Sequence, residues 1–600
     1  MLKRRAFLKQ SAALGIAAAG GFPLSVRGAS AGESRPVFHT RHIPIEHLNL
    51  SMPMGRDVVR NGLCDAIKPD VLKRLKDFGV ELVEMRCVWW EIEPESGRFD
   101  WSRVLRDMDA VQNAGLKVGL FPWFQYPPAW YDPEHKNHAR YRTSDGKKES
   151  TVLSLWDPKT LEVYDRLMGI TAKALKGRIS FVYNGISGTY GEVDYGLFAK
   201  HYRFSSPIGG YLFGDRYART SFAEDMRCKY GSVQALNQAW ETSFASFDDA
   251  SVPPLPFGKN TLRRRDDCMQ WATGSLLDFT DRTCGLYAKH FPGIKGGLPL
   301  GFVEERISSG EIKSLAAKMA AKHGLTARWT GCAHLGAFDR SNLLDRRIAT
   351  AAHFYGAPFG TEAALILETE NAANGLYESL ANGASLIHDD PQNIFRAEVV
   401  QRRIRPQLIV DPPEASVSVF YPFEDMILDV DTIPWKTFVE RCAACRRSFD
   451  YDVCDSYLIA DGFLKKQRDV IFVGSASIRD STARAMIDFV SAGGRVWLFG
   501  DSEVKILYAN NSLLDIARSL GVIVSEIGFD GKVARGVYRF SDWKQLGKAL
   551  PGCAVTAGDG KRFRTIHRRH VSDYVPSEGN IKIELRSDVA MFDACETKRT

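Results

Sequence analysis

The chain has 600 residues, 44% hydrophobic, 25% charged and 11% aromatic. This composition excludes a wholly disordered chain, collagen and a membrane bundle, and the length exceeds one hydrophobic core, so about two to four domains are expected. Five basic and no acidic residues lie in positions 1–31; without them the formal charge of +7 falls to +2, which is no footprint for nucleic acid.

Residues 1–31 read as a twin-arginine export signal. Lys3-Arg4-Arg5 precedes an alanine-rich apolar run from Ala12 to Ala19, and Ala29-Ser30-Ala31 supplies a small-x-small cleavage site. The apolar run is well short of the roughly 20 residues that a membrane span requires. The mature chain is therefore expected in the periplasm or medium of a bacterium, with no integral membrane segment. Among the eleven cysteines only Cys442 and Cys445 are closely spaced. They fall in a helical pattern without a second ligand pair at zinc spacing, so two residues on one helix face is the simplest reading. No metal and no cofactor are expected.

From His42 to about Asn393 strand-like apolar runs alternate with amphipathic helices, the pattern of βα units around a parallel sheet. Ile43–Leu50 reads as a first strand, Pro69–Phe78 as a helix and Val80–Val88 as a second strand. Trp101–Ala114 carries Val104, Leu105, Met108 and Val111 at helical spacing. Leu116–Trp123, Ile179–Ile186, Gly297–Val303, Thr326–His334, Pro358–Leu365 and Ala384–His388 complete a set of eight strands. The expected fold is a (β/α)8 TIM barrel over residues 32–405, with its largest insertion between strands four and five. A linker at 406–415 leads to a flavodoxin-like α/β domain over 416–530, with strands at 416–421, 450–453, 470–473 and 495–499. Tyr421-Pro422-Phe423 replaces a phosphate-cradling glycine fingerprint there, so the domain reads as structural. Residues 531–600 form a small C-terminal region in which β structure is expected.

Barrel enzymes build their sites from the loops that follow the strands. Strand two ends in Trp89-Trp90-Glu91-Ile92-Glu93-Pro94, and strand three in Trp123-Phe124-Gln125-Tyr126 with Trp130 beyond. Strand four breaks into the glycine-rich turn Gly185–Gly191, followed by Glu192, Asp194 and Tyr195. Strand seven gives Glu362 and strand eight His388. Aromatic rings around paired carboxyl groups suit a carbohydrate, because pyranose C–H faces lie on flat rings and glycosidic cleavage needs two acids flanking the bond. Glu192 and Glu362 are the candidate catalytic pair, with Glu368 and Glu370 as alternatives to Glu362. Trp89, Trp90, Glu93, Trp123, Gln125, Trp130, Asp194, Tyr195 and His388 are candidate substrate-binding residues.

These stretches resemble glycoside hydrolase family 42, the β-galactosidase-like enzymes. Gly79–Pro94, Pro127-Pro128-Ala129-Trp130, Phe222–Trp240 and Asn382-Gly383-Ala384 carry the likeness, and residues 416–504 are similar to that family's trimerisation domain. The resemblance implies a β-galactosidase-like hydrolase, a homotrimer, and a retaining double displacement with Glu192 as acid/base and Glu362 as nucleophile. Where that family has Asn before its acid/base, this chain has Gly191. Val88-Trp89-Trp90 and Gly188–Glu192 also resemble family 14, the β-amylases, whose acid follows Ala-Gly and which invert. The alternatives are thus an inverting, amylase-like glucan hydrolase and a non-catalytic glycan-binding barrel.

Overall fold

The computed structural model describes residues 36–42, 67–195 except 135 and 189, 212–253, 260–301, 312–330, 338–362, 379, 382–396, 415–550 with short gaps, 571–575 and 582–585. The export signal, Ile43–Leu50 and the alternatives Glu368 and Glu370 lie outside the described residues.

Eight parallel strands close into a barrel. In chain order the strands of this half are β1 (Val37–His42), β2 (Leu82–Val88), β3 (Lys117–Trp123), the hairpin β4 (Arg140–Arg142) and β5 (Glu149–Leu153), β6 (Phe181–Tyr183), β7 (Lys295–Leu300), β8 (Thr326–Thr330), β9 (Phe359–Glu362) and β10 (Leu386–Asp389). The hairpin stands outside the barrel, whose order is β1-β10-β9-β8-β7-β6-β3-β2. The first strand thus lies upstream of the stretch expected from sequence. Val37-Phe38-His39-Thr40-Arg41-His42 is too polar to read as a buried strand, yet His39 bonds across the barrel, Nδ1 to the Tyr183 hydroxyl at 2.7 Å, and Arg41 pairs with barrel carboxylates.

The helices follow from the same sequence logic. Pro69–Phe78 has proline in its first turn and buries Leu72, Leu75 and Phe78. Pro158–Ala174 is capped by Asp157, whose side chain accepts from the Lys159 amide. The insertion after β6 contains Arg216–Tyr230, Val233–Trp240 and the long helix Leu262–His290. Its anchor is Asp267, which accepts from Trp240 Nε1 at 2.8 Å and Lys229 Nζ at 2.5 Å and also takes the Tyr230 hydroxyl.

After the barrel come β11 (Val417–Phe420), β12 (Asp452–Cys454), β13 (Asp469–Phe472), β14 (Ala476–Ile478), β15 (Arg495–Phe499), β16 (Val504–Ile506), β17 (Val524–Glu526) and β18 (Gly536–Phe540). Six of them form one parallel sheet in the order β12-β11-β13-β15-β18-β17, and β14 pairs with β16. The sheet runs past residue 530, because Gly536–Phe540 inserts between β15 and β17. Cys442 and Cys445 are buried free thiols on the helix Trp435–Arg446. An antiparallel pair, β19 (Val571–Val575) and β20 (Lys582–Leu585), lies in the C-terminal region.

The barrel helix Phe338–Tyr355 reaches both ends of β12. Arg346, on the helix Phe338–Tyr355, reaches Asp450 at 2.6 Å and Asp452 at 3.3 Å. Arg347 reaches Asp455 at 3.2 Å and lies 3.6 Å over the Tyr421 ring. In open α/β sheets ligands bind at the C-terminal ends of the strands; here Arg347 occupies that end of β11 and β12.

Candidate active site

Glu192 is placed by a loop whose backbone is tied down at nearly every residue. After β6, Asn184 continues the pairing by donating to the Gly297 carbonyl at 2.8 Å. Gly185 runs so close to β3 that a Cβ would stand 1.9 Å from the Pro122 oxygen. Its carbonyl accepts from the Tyr287 hydroxyl at 3.1 Å, and the Ile186 carbonyl from Tyr164 at 2.5 Å. The Gly188 and Asp194 amides both donate to the Glu192 carbonyl at 2.9 Å, and Val193 donates to Pro299 at 3.1 Å. Gln125 Nε2 donates to the Gly188 carbonyl at 3.0 Å. Glu192 and Asp194 are buried within this turn.

Gly191 has φ 80°. A Cβ there would come within 2.9 Å of the Phe121 ring and 3.1 Å of Trp123 Nε1. Only glycine meets both demands cheaply, so the side chain that family 42 presents before its acid has no room in this loop.

Glu362 ends β9, in register with Thr330 of β8 and His388 of β10. Its Oε1 pairs with Arg41 Nη1 at 2.7 Å. Its Oε2 takes the Thr330 hydroxyl at 3.0 Å and Arg328 Nη1. Arg41 also holds Asp390, Nε to Oδ1 at 2.7 Å. Two guanidiniums on one nearly buried carboxylate favour its ionised form. The charge of Glu192 also acts on Arg328, and on Tyr190. Arg328 therefore feels both candidate acids, one from each of two strands separated in the barrel by β7 and β8.

The remaining candidates divide. Trp90, Trp130 and Tyr190 are half-buried, and Tyr190 meets Trp123 edge-on at 6.1 Å. Trp123 itself is fully buried beneath the Arg86 guanidinium, 4.5 Å above its ring. Gln125 is buried behind the Glu192 turn.

Four expected ligand contacts are engaged by the protein instead. Glu93 accepts Arg166 at 3.0 and 2.9 Å, Trp89 Nε1 at 2.6 Å and the Gly97 amide at 3.0 Å. These donors hold its carboxyl below the usual range against the cost of burial; it is a brace, and Trp89 is part of it. Tyr195 donates to the Ala272 carbonyl at 2.5 Å and stacks on Trp156. His388 is fully buried, stacked on Tyr183 with ring centroids 5.3 Å apart. Burial, reinforced by Arg41 and Arg328, keeps its imidazole neutral.

Arg41, Glu84, Arg86 and Arg328 are missing from the sequence reading. One signal was available: Glu84 and Arg86 sit two residues apart in Leu-Val-Glu-Met-Arg-Cys-Val, so they share one face of an otherwise apolar strand.

The model for glycosyl hydrolase family 14 matches residues 63–296. A thermophilic β-amylase of Thermoanaerobacterium thermosulfurigenes is 27% identical over 203 residues, 31% of this chain and 36% of that protein. A β-galactosidase of Bifidobacterium bifidum is 26% identical over 282 residues, 44% of this chain and 37% of that one. The chain thus spans little more than a third of the length of these curated relatives. The crystal structure of a β-galactosidase from the psychrophilic Marinomonas ef1 superimposes with a TM-score of 0.59 at 14% identity, covering 81% of this chain and 79% of that chain, which shows a shared fold. The protein is a (β/α)8-barrel relative of glycoside hydrolases, similar to β-amylases in its first half and to β-galactosidases over a longer span.

Proposed function

We propose that the protein is an exported glycoside hydrolase acting on a β-galactoside-like sugar, with Glu192 protonating the leaving oxygen and Glu362 attacking the anomeric carbon. The observation that carries this reading is that one cation, Arg328, pairs with Glu362 and also lies in the field of Glu192. Glu362 is gripped by two guanidiniums and a hydroxyl, which suits the member that must stay ionised. Glu192 is buried in the glycine turn after β6 with Tyr190 beside it, and in this reading it is the member that carries the proton. The half-buried Trp90, Trp130 and Tyr190 offer faces on which a pyranose ring can lie. In this reading no cofactor or metal takes part, and the likeness of residues 416–504 to a trimerisation domain supports a homotrimer, which sedimentation of the purified protein would test.

Gly191 favours a second reading. A glycine before the acid is the family 14 arrangement, and the crowding by Phe121 and Trp123 excludes the family 42 asparagine. An inverting, amylase-like reaction would use Glu362 to activate water rather than to attack.

Proton NMR of the first-formed anomer, on a panel of nitrophenyl glycosides and oligosaccharides, separates the two. The β-galactoside reading expects retention; inversion would move the assignment to the amylase-like reaction. Affinity for glycans without any product would leave a binding barrel. Fractionation of the producing cell tests export, with the mature chain expected to start after Ala31.

A further inference from the structure

The cation that touches Glu362 also serves a second, deeper carboxylate. Arg328 Nη1 faces His388 Nδ1 at 3.1 Å and Glu84 Oε2 at 3.8 Å while it holds Glu362 Oε2. His388 Nε2 lies 3.4 Å from the same Glu84 oxygen. Because Nδ1 meets an N–H donor it must accept, so the single proton of the neutral ring sits on Nε2, which lies beside Glu84 without hydrogen-bond geometry. Arg328, Glu84 and His388 are all fully buried. Glu84 and His388 reach the carboxylate proposed to attack through Arg328.

Resting on the function proposed above, we propose that Glu84 and Arg328 are positioning residues that set the ionisation of Glu362. One guanidinium is divided between two carboxylates. When Glu84 is ionised it draws on that charge; when Glu84 takes a proton, the charge reverts to Glu362.

The surroundings of each group are consistent with this division. Around Glu362 stand Arg41 from β1, Arg328 and Thr330 from β8, and Asp390 just after β10, tied to Arg41. Around Glu84, Arg328, Arg86 and Arg41 favour the ionised form and Asp390 opposes it. Tyr183 from β6 stays protonated, and its hydroxyl meets His39. Burial is the largest influence on Glu84 and raises its carboxyl above the ordinary value. On acidification Glu84 therefore protonates early and leaves Arg328 to Glu362, which holds the attacking group ionised to lower pH.

The test uses the full chain labelled with carboxyl-13C glutamate, with the Glu362 resonance assigned as the one lost in Glu362→Gln. Glu84→Gln should lower the Glu362 titration midpoint by about one pH unit, and the acid limb of kcat/KM should move with it. Arg328→Met should raise the midpoint by a similar amount. If that variant does not fold, Glu84→Gln combined with Arg328→Met removes both buried charges and should titrate above Glu84→Gln alone. An unchanged midpoint in Glu84→Gln, or shifts of the same sign in the two variants, overturns the proposal. A wild-type protein that cleaves no glycoside removes the function proposed above, whereas the NMR midpoints still decide the coupling.

Discussion

In the barrel mouth Arg41 and Arg328 converge on one carboxylate, whereas at the contact between barrel and sheet Arg346, Arg347 and Arg479 each take aspartates of their own. Both regions bury guanidiniums, Arg479 only in part, and both therefore need negative charge close by. The contact region spreads its arginines over several aspartates: Arg346 reaches Asp450 and Asp452, and Asp450 also takes Arg446. Asp266 accepts Arg479 at 2.8 and 3.0 Å and the Tyr508 hydroxyl at 2.5 Å, and these partners hold its carboxyl low despite burial. The mouth instead turns two guanidiniums, each also in reach of a second carboxylate, onto the acid that ends β9. Burial alone does not separate a charge proposed for catalysis from a structural one here.

The largest expected break between the regions is in activity. Glu362→Gln and Glu192→Gln should each lower kcat by about 10²–10⁴-fold on any cleaved glycoside, with little change in thermal unfolding. Full turnover in either variant would remove that residue from the chemistry. Arg479→Met should do the reverse. It leaves Asp266 buried beside Tyr508 and Gln270 without its cation, at a cost of about 2–3 kcal/mol; the partial exposure of Arg479 keeps this below a fully buried pair. Urea unfolding should report that loss while kcat stays within about twofold, a rough bound for a distant site.

Gly191 sharpens the comparison within the mouth itself. Gly191→Asn must hold φ 80° and place a Cβ against Phe121 and Trp123. The neighbours that would have to yield are the core of the turn that presents Glu192. An ångström of displacement there is expected to cost about 10²-fold in kcat/KM. If Gly191→Asn instead gains galactosidase activity, the loop has more freedom than its clamps imply.

The legible part of this molecule was the part that obeys periodicity. Leu72, Leu75 and Phe78 at helical spacing, and the apolar runs that reach Val88, Trp123 and Tyr183 and pass through Glu362, gave the barrel and the strand ends from which Glu192 and Glu362 come. What escaped was polar structure inside strands. Val37–His42 carries His39, Arg41 and His42, so its alternation resembles a loop until its partners across the barrel are known. Arg328 is hidden in the same way, between Ala327 and Trp329. The burial of Glu93 and Trp89 escaped for the opposite reason: their positions at a strand end suit a ligand, and only Arg166, 73 residues away in sequence, shows that they brace the loop. Long-range charge pairing leaves no periodic mark on a sequence.

The smallest effect concerns pH and lies wholly in the contact region. Glu424 is fully buried, with Arg479 Nε 3.9 Å from its Oε1 while the Arg479 fork is turned to Asp266. Burial outweighs that cation and pushes the carboxyl up to about 8. Between the ordinary glutamate value and about 8, the folded chain keeps a proton that the unfolded chain has released. Stability should therefore be fully present at low pH with respect to this group and should fall as pH rises through that window, by on the order of 1 kcal/mol per pH unit, levelling off above it. Glu424→Gln removes the titration and should flatten the dependence of urea unfolding free energy between pH 5.5 and 8. The barrel mouth supplies the control: Glu362→Gln should leave that slope in place, because the Glu424 proton belongs to the joint between the sheet and the long helix Leu262–His290 and not to the proposed chemistry.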